Sequence, residues 1–130
     1  LGIECLSRSA SSAIFVDVSK ESINIVKSNI KKARVENEST ILNLDFKNAI
    51  DRLKIQNKKF DIIFMDPPYY KNMFIDALSS IDEADLLCDD GIIVVEHDTK
   101  DKFVDKIGRL EKTRDKKYGN TTLTFYKLEE

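Results

Sequence analysis

The sequence predicts an α/β fold built on one mostly parallel, twisted sheet, and three observations support this prediction. Short apolar runs typical of buried strands alternate with stretches whose apolar residues recur at helical spacing. The connections are short, as in sheets with helices on both faces. Near the end, Arg109–Lys117 and Thr121–Leu128 flank Tyr118-Gly119-Asn120 and predict an antiparallel hairpin. We therefore expect a single domain over residues 1–130.

The first half of the chain contains two strand–helix pairs. A helix is expected over Leu1–Arg8, and the apolar run Ala13–Val16 is the first strand. Ser19 can cap the next helix, because its hydroxyl oxygen can accept from a free N–H of the first turn. Thr40–Leu44 is the second strand, and Asp45 can cap the helix after it. The apolar faces of the two helices are Ile23, Val26, Ile30 and Ala33, and Phe46, Ala49, Ile50 and Leu53.

The second half begins with Phe60–Met65, which has one charged residue and is expected to be a central, buried strand. Asn72 can cap the helix that follows. A turn at Asp89-Asp90-Gly91 leads into the strand Ile92–His97, and a short helix is expected at about Lys102–Ile107. The core face of the Asn72 helix is expected to be Met73, Phe74, Ala77, Leu78 and Ile81.

The composition excludes several classes of protein. No apolar run approaches the roughly 18 residues needed to cross a bilayer, and residues 1–10 lack a basic-then-apolar leader pattern. Cys5 and Cys88 lie far apart, so we expect reduced cysteines and a cytoplasmic location. His97 is the only histidine, which disfavours a zinc site and a Ser-His-Asp triad. The net charge of −2 means that a polyanion would have to bind at a local basic patch.

The segment Asp66-Pro67-Pro68-Tyr69 follows the Phe60–Met65 strand directly and is the most informative one for function. Both prolines have a fixed φ and no N–H, so their carbonyls point out of a rigid loop. The Asp66 carboxylate and the Pro67 carbonyl can accept from an amino group, and the Tyr69 ring can stack on a planar base. The segment therefore predicts a site for a nucleobase amine. The alternative is a proline-rich turn that only ends the strand.

Acidic residues also follow the first two strands. In a doubly wound sheet, ligands bind at the carboxyl ends of the strands, where Asp17 could accept from the two hydroxyls of a ribose. Asp45 could accept from an adenine amine, and a role as helix cap would be compatible with this. Phe46 could lie against the adenine face or pack in the core. For Asp17 the alternative is an ordinary turn residue.

Four segments occur in a recognisable order: Leu1–Arg8, Phe15-Val16-Asp17, Asp66-Pro67-Pro68-Tyr69 and Tyr118-Gly119-Asn120-Thr121. The third resembles the signature of S-adenosylmethionine-dependent amino methyltransferases. Together they resemble the RsmD family, which methylates the N2 amine of a guanine in small-subunit (16S) ribosomal RNA. The resemblance spans essentially the whole chain. It implies a Rossmann-like methyltransferase fold, S-adenosylmethionine as methyl donor, and ribosomal RNA or a small-subunit assembly particle as partner.

The resemblance also implies roles for individual residues and no metal. The implied catalytic residues are Asp66, Pro67, Pro68 and Tyr69, and the implied cofactor-binding residues are Gly2, Asp17, Val18, Asp45 and Phe46. In the family a first strand, in the middle of the sheet, and a Gly-rich loop precede the position of Leu1. We therefore expect a sheet without its first strand, two unpaired strand edges through which a homodimer could form, and a chain that is inactive by itself.

Two questions stay open at this point. The same loop occurs in methyltransferases that act on DNA or on other RNA amines, and a non-catalytic scaffold with a methyltransferase fold is a further alternative. The hairpin carries a basic cluster that could protect a sheet edge or contact phosphates. Its members are Lys112, Arg114, Lys116 and Lys117.

Overall fold

The computed structural model describes residues 13–16, 19–65, 71–101 and 103–129, except for the side chains of residues 71–73. The chain divides into two compact units, Leu1–Ala49 and Ile50–Glu130. No helix in the described ranges is long and apolar enough to span a membrane. The elements are β1 (Ala13–Val16), α1 (Lys20–Ala33), a 3-10 turn (Glu36–Glu38), β2 (Ser39–Leu42), α2 (Phe46–Ile55), β3 (Phe60–Met65), α3 (Lys71–Glu83), β4 (Leu87–Asp98), β5 (Lys106–Ile107), β6 (Leu110–Tyr118) and β7 (Thr121–Leu128).

The first unit is built on β1 and β2, which pair in parallel along their whole length. The Oγ of Ser19 accepts from the N–H of Ser22 at 3.3 Å, so the predicted cap of α1 is confirmed. The helix ends at Arg34, which has a left-handed φ of 60°. Of its predicted apolar stripe, Ile23 and Ile30 are buried and Val26 is half-buried, whereas Ala33 is exposed. The small core of this unit consists of Ile30 and Val35, with Ala13, Phe15, Val26 and Ile41 packed against them.

The second unit contains a five-stranded sheet with the strand order β3-β4-β7-β6-β5. β3 and β4 pair in parallel, and the other neighbours pair antiparallel. β6 and β7 form the predicted terminal hairpin, and Gly119 in its turn has a φ of 59°. The α/β class and the antiparallel end of the sheet are therefore confirmed. In the described ranges, β1 pairs only with β2 and β3 only with β4.

The core of the second unit lies on one face of this sheet. Ile93 and Val95 of β4 and Tyr126 of β7 are completely buried there. His97 lies on the same face, and the ring of Phe74 from α3 packs edge-on against it with centroids 6.5 Å apart. Alternate residues of a strand point to opposite faces, so the covered face continues along β4 to its carboxyl end. Burying apolar side chains of this size contributes about 1.5–3 kcal/mol each.

The strand β3 does not have the buried environment that was predicted for it. Its bounds, Phe60–Met65, are as predicted, but Ile62 is 57% exposed and Phe64 is 37% exposed. The physical reason is that β3 has one neighbour in the described ranges, and these two side chains lie on the face opposite to the Ile93 core. An apolar composition alone does not show whether a strand is covered on both faces.

Two predictions around α3 and β4 were wrong. Asn72 does not cap α3, because the helix begins at Lys71 and Asn72 lies inside its first turn. The residues Asp89-Asp90-Gly91 do not form a separate turn, because β4 runs through them. They instead form an irregular part of the ladder: β3 advances two residues from Phe60 to Ile62 while β4 advances five, from Leu87 to Ile92.

Two further boundaries also differ. The short helix predicted at about Lys102–Ile107 is absent from the described part, where residues 103–105 are irregular and Lys106–Ile107 is β5. The reason is non-local: Ile107 pairs with Leu110 in a tight hairpin. β2 begins at Ser39, one residue earlier than predicted, and ends at Leu42, two residues earlier than predicted.

Candidate functional site

Most of the predicted site residues lie outside the part of the chain that the structure describes. Those residues are Gly2, Asp17, Val18, Asp66, Pro67, Pro68 and Tyr69. Their roles stay predictions. The strands that lead to two of these segments are described, since β1 ends at Val16 and β3 ends at Met65. Asp45 and Phe46 are described in full.

Asp45 is the N-terminal cap of α2. Its Oδ1 accepts from the backbone N–H of Asn48 at 2.8 Å, and its Oδ2 accepts from the side-chain amide of Asn48 at 3.2 Å. Its carbonyl accepts from the N–H of Ala49 at 3.0 Å. Because an ionised carboxylate has about four acceptor positions, each oxygen keeps a free lone pair. Asp45 is also exposed, so it can accept from a ligand amine while it caps the helix.

Phe46 is the first residue of α2 and is half-buried. Its partial exposure is compatible with both predicted roles, contact with an adenine ring and packing at the start of the helix. Asp45 and Phe46, the two described members of the predicted cofactor set, are thus consecutive residues that follow the end of β2.

The carboxyl ends of β3 and β4 lie at one end of the second unit. Met65, the last residue of β3, pairs with Val95, and β4 continues to Asp98. Asp98 pairs with Thr121, the first residue of β7. β3 therefore ends at the same end of the sheet as the turn between β6 and β7. In parallel α/β sheets this is the end at which ligands bind.

A hydrogen-bonded group lies on the covered face near this end, and the sequence did not reveal it: His97 and Thr124 are buried, and Asp115 is about half exposed. The hydroxyl of Thr124 donates to Asp115 Oδ1 at 2.6 Å, and it lies 2.6 Å from His97 Nε2. His97 Nδ1 donates to the carbonyl of Asp98 at 2.9 Å, so both ring nitrogens have a hydrogen-bond partner. The His97 ring also stacks on Phe103 with centroids 4.1 Å apart. His97 is therefore held by packing and hydrogen bonds.

The surroundings of this group affect two pKa values. The hydroxyl of Thr124 is the main cause of a lowered pKa at Asp115; burial opposes this effect and Lys112, 3.2 Å away, supports it. Burial raises the pKa of Tyr126 to about 12, and its hydroxyl donates to the carbonyl of Val104 at 2.9 Å. Asp115 is therefore kept ionised and Tyr126 neutral near pH 7.

A cavity of about 400 Å³ opens beside this group. The signal that could have located it is the alternation of small polar residues along β7, where Thr122 and Thr124 point to the covered face. The cavity has both positive and negative groups at its wall, so its charge favours no single class of ligand. It is lined by His97, Thr99, Asp101, Phe103, Lys112, Asp115, Lys117 and Thr122.

A second cavity, of about 350 Å³, lies in the first unit near the amino end of β2. Ser39 and Ile41 of β2 line it together with Lys27 of α1. Ligands of α/β sheets bind at the opposite, carboxyl end, so this cavity does not match the predicted cofactor site. Among the described residues, no group of three or more His, Cys, Asp or Glu could hold a metal ion.

The sequence profile of the family described as "Conserved hypothetical protein 95" matches residues 1–127. The chain belongs to this family. YlbH of Bacillus subtilis, named as a candidate rRNA methyltransferase, is 37% identical over 98% of this chain and 69% of its own length. Ribosomal RNA small subunit methyltransferase D of Haemophilus influenzae is 34% identical over 78% of this chain. The chain spans only 52% of that relative. These matches confirm the resemblance to the RsmD family.

The comparison with solved structures gives the fold of this family member. A conserved protein of Streptococcus pyogenes is 30% identical, with a TM-score of 0.88 over 98% of this chain and 78% of that one. A methyltransferase of Podospora anserina, solved with SAH bound, has a TM-score of 0.71 over 95% of this chain and 64% of that one. At 14% identity, the second likeness shows the fold alone. The predicted methyltransferase fold is therefore confirmed.

Proposed function

We propose that this family member is an S-adenosylmethionine-dependent methyltransferase that modifies the N2 amine of a guanine in small-subunit ribosomal RNA. The observation that carries the proposal is the position of Asp66-Pro67-Pro68-Tyr69 directly after β3, in a chain with the methyltransferase fold. The names of the relatives support an rRNA substrate, and the exocyclic amine follows from the chemistry of the loop. The choice of guanine N2 comes from the resemblance to the RsmD family.

Methylation of the target amine requires only that its nitrogen be made more nucleophilic and be oriented toward the methyl donor. An aromatic amine is a poor nucleophile, because its lone pair is delocalised into the ring. If the Asp66 carboxylate and the Pro67 carbonyl accept its two N–H bonds, the amine becomes more tetrahedral and its lone pair is free to attack. Such fixed acceptors stabilise the transition state by orientation and electrostatics. Tyr69 would hold the base by stacking, which contributes about 1–3 kcal/mol per base.

The described residues fit the cofactor at the one point where they can be compared with it. Asp45 is an exposed carboxylate with free lone pairs, which can accept from an adenine amine, and Phe46 lies beside it. When bound, the cofactor supplies the methyl group from a sulfonium centre. The further contacts expected from Gly2, Asp17 and Val18 are proposals. The proton released from the amine is taken up by Asp66 or by water.

The proposal is tested with full-length protein, tritiated S-adenosylmethionine and ribosomal RNA from cells that lack the modification. We expect label in small-subunit RNA or its assembly particles and none in DNA. Asp66→Ala should abolish this transfer while leaving cofactor affinity largely unchanged, because the acid is expected to touch the amine and not the cofactor. Transfer to DNA, or unchanged transfer by Asp66→Ala, would contradict the proposal. No transfer to any nucleic acid would favour the non-catalytic scaffold.

Three associated expectations stay predictions. The 130-residue chain should bind S-adenosylhomocysteine weakly in isothermal titration. Two copies could associate through the edges of β1 and β3, which size-exclusion chromatography with light scattering would detect. Fractionation of cells would test the cytoplasmic location.

A further inference from the structure

The outer edge of β6 is positively charged and open. β5 pairs with β6 only at Leu110 and Glu111, and the N–H of Lys112 donates to the carbonyl of Asp105 at 2.7 Å. From Thr113 to Tyr118, β6 therefore pairs only with β7 in the described part of the chain. We call the segment Thr113–Tyr118 the β6 edge. It ends at the turn that follows Tyr118.

The edge contains one carboxylate, Asp115, and it does not pair with the cations of the edge. Lys112, just before the edge, pairs with Asp105 at 3.1 Å and Asp115 at 3.2 Å. Asp115 is also occupied by the hydroxyl of Thr124. By contrast, Arg114, Lys116 and Lys117 are exposed, and none of them has an ion pair with a described residue. The edge thus carries one arginine and two lysines whose charges are available to bind an anionic ligand.

These cations flank the edge from both faces of the sheet. Arg114 and Lys116 pair with Phe125 and Leu123 and share their face. Lys117 pairs with Thr122 and lies on the other face, where it lines the 400 Å³ cavity. A negatively charged chain that runs along the edge could therefore be contacted from both sides.

Aromatic rings accompany two of the cations. The guanidinium of Arg114 lies over the Phe125 ring at 4.5 Å from its centroid, and the Lys116 ammonium lies 5.3 Å from the centroid of Tyr118. Tyr118 is itself 53% exposed. Cations combined with exposed rings are typical of surfaces that bind single-stranded nucleic acid.

The β6 edge also lies at the appropriate end of the sheet. Met65, Val95, Thr124 and Asp115 pair in one row across β3, β4, β7 and β6. Lys116 to Tyr118 therefore lie beyond this row, toward the end at which β3 leads into the Asp-Pro-Pro-Tyr loop. Three strand spacings of about 4.8 Å separate β3 from β6, which places the edge about 14 Å from the end of β3.

We propose that the β6 edge binds the phosphate backbone of the RNA segment that carries the target base, with Lys116 and Lys117 as its principal contacts. This inference rests on the proposed function, which it deepens by assigning a surface to the RNA. The position of the cations at the ligand-binding end, together with an exposed ring, distinguishes this role from protection of the edge against pairing. Edge protection alone would require neither the ring nor this position.

The test is the salt dependence of RNA binding. Full-length protein is titrated into fluorescein-labelled single-stranded RNA of small-subunit sequence, and anisotropy is recorded at several NaCl concentrations. The test variant is Lys116→Gln/Lys117→Gln. The control is Lys54→Gln/Lys58→Gln, which makes the same charge change at exposed positions near the amino end of β3. Melting temperatures verify that both variants are folded. If the double variant is not folded, Lys116→Gln alone is used as the test variant.

The expected result is a loss of two phosphate contacts in the test variant. The slope of log K against log salt should fall by about 1.4 for the double variant and about 0.7 for Lys116→Gln, since each single-strand contact contributes about 0.7. The control should keep the wild-type slope. A test variant with the slope of the control would overturn the inference.

The methyl-transfer assay separates this inference from the proposed function. If the wild type methylates rRNA but the edge variant keeps both its slope and its KM for RNA, the edge inference fails and the proposed function stands. If the slope falls as expected but the wild type transfers no methyl group, the edge binds RNA and the proposed reaction is wrong.

Discussion

The hydroxyl of Thr124 lies 2.6 Å from Nε2 of His97 and donates to Asp115, so one buried side chain connects β4 to β6 across β7. Thr124 is completely buried, and its hydroxyl is the partner of both side chains. This connection ties the hairpin to the parallel part of the sheet.

Replacement of this hydroxyl by a methyl group should therefore destabilise the protein. In Thr124→Val, the buried His97 Nε2 loses its hydrogen-bond partner, which costs about 1–3 kcal/mol. The half-exposed Asp115 also loses a donor but keeps Lys112 as a partner. Urea denaturation should show a loss within that range. Thr121→Val is the control, since it makes the same change on the opposite face, and should be close to neutral. Equal stability of the two variants would show that the buried connection contributes nothing.

The lowered pKa of Asp115 predicts a contribution to stability that depends on pH. The pKa in the folded protein lies below the ordinary value of 3.8, mainly because of the Thr124 hydroxyl, so the contribution is present above 3.8. It is lost as pH falls from that value through the folded pKa. The unfolding free energy of Asp115→Asn should therefore fall less steeply below about pH 4 than that of the wild type. Parallel curves for the variant and the wild type would exclude a role of this carboxylate.

Gly108 should tolerate alanine less well than Gly119. Both have left-handed φ values, 56° and 59°, which cost an alanine about 1–2 kcal/mol. At Gly108 a Cβ would in addition collide with Asp82 Oδ2, whereas at Gly119 it would meet no atom within 4 Å. Asp82 cannot move freely, because its Oδ1 accepts from Arg109 Nε at 2.9 Å. Urea denaturation of Gly108→Ala and Gly119→Ala isolates the steric cost, and identical losses would disprove it.

Asp45 is expected to have two separable roles. Asp45→Ala removes the cap of α2 and should cost about 0.5–2 kcal/mol of unfolding free energy. Asp45→Ser retains a capping oxygen but has no carboxylate with which to reach a ligand. In the full-length enzyme, Asp45→Ser should keep its melting temperature while its KM for S-adenosylmethionine rises several-fold. If KM changes in Asp45→Ala but not in Asp45→Ser, loss of the helix cap is sufficient to explain the change, and a contact between Asp45 and the cofactor is excluded.

Features encoded by neighbouring residues could be predicted from the sequence. The bounds of β1 and β3, the Ser19 cap and the terminal hairpin each depend on a few consecutive side chains, and each was confirmed. The family resemblance has the same origin, because short segments in a fixed order carry it. The failed prediction of a helix near residue 105 involves distant partners. Lys106 and Ile107 became strand instead of helix because they pair with Glu111 and Leu110.

The buried group around His97 shows why the rest required tertiary structure. His97, Asp115 and Thr124 belong to three strands, and only the pairing register of β4, β7 and β6 brings them together. A shift of one residue along β7 would turn Thr124 to the opposite face and break both hydrogen bonds. Local propensity selects which residues form strands, whereas register is decided by the burial of whole faces. The sequence therefore determined which chemical groups the protein has and where most strands lie. Which of these groups come into contact was decided by the pairing of the strands in the sheet.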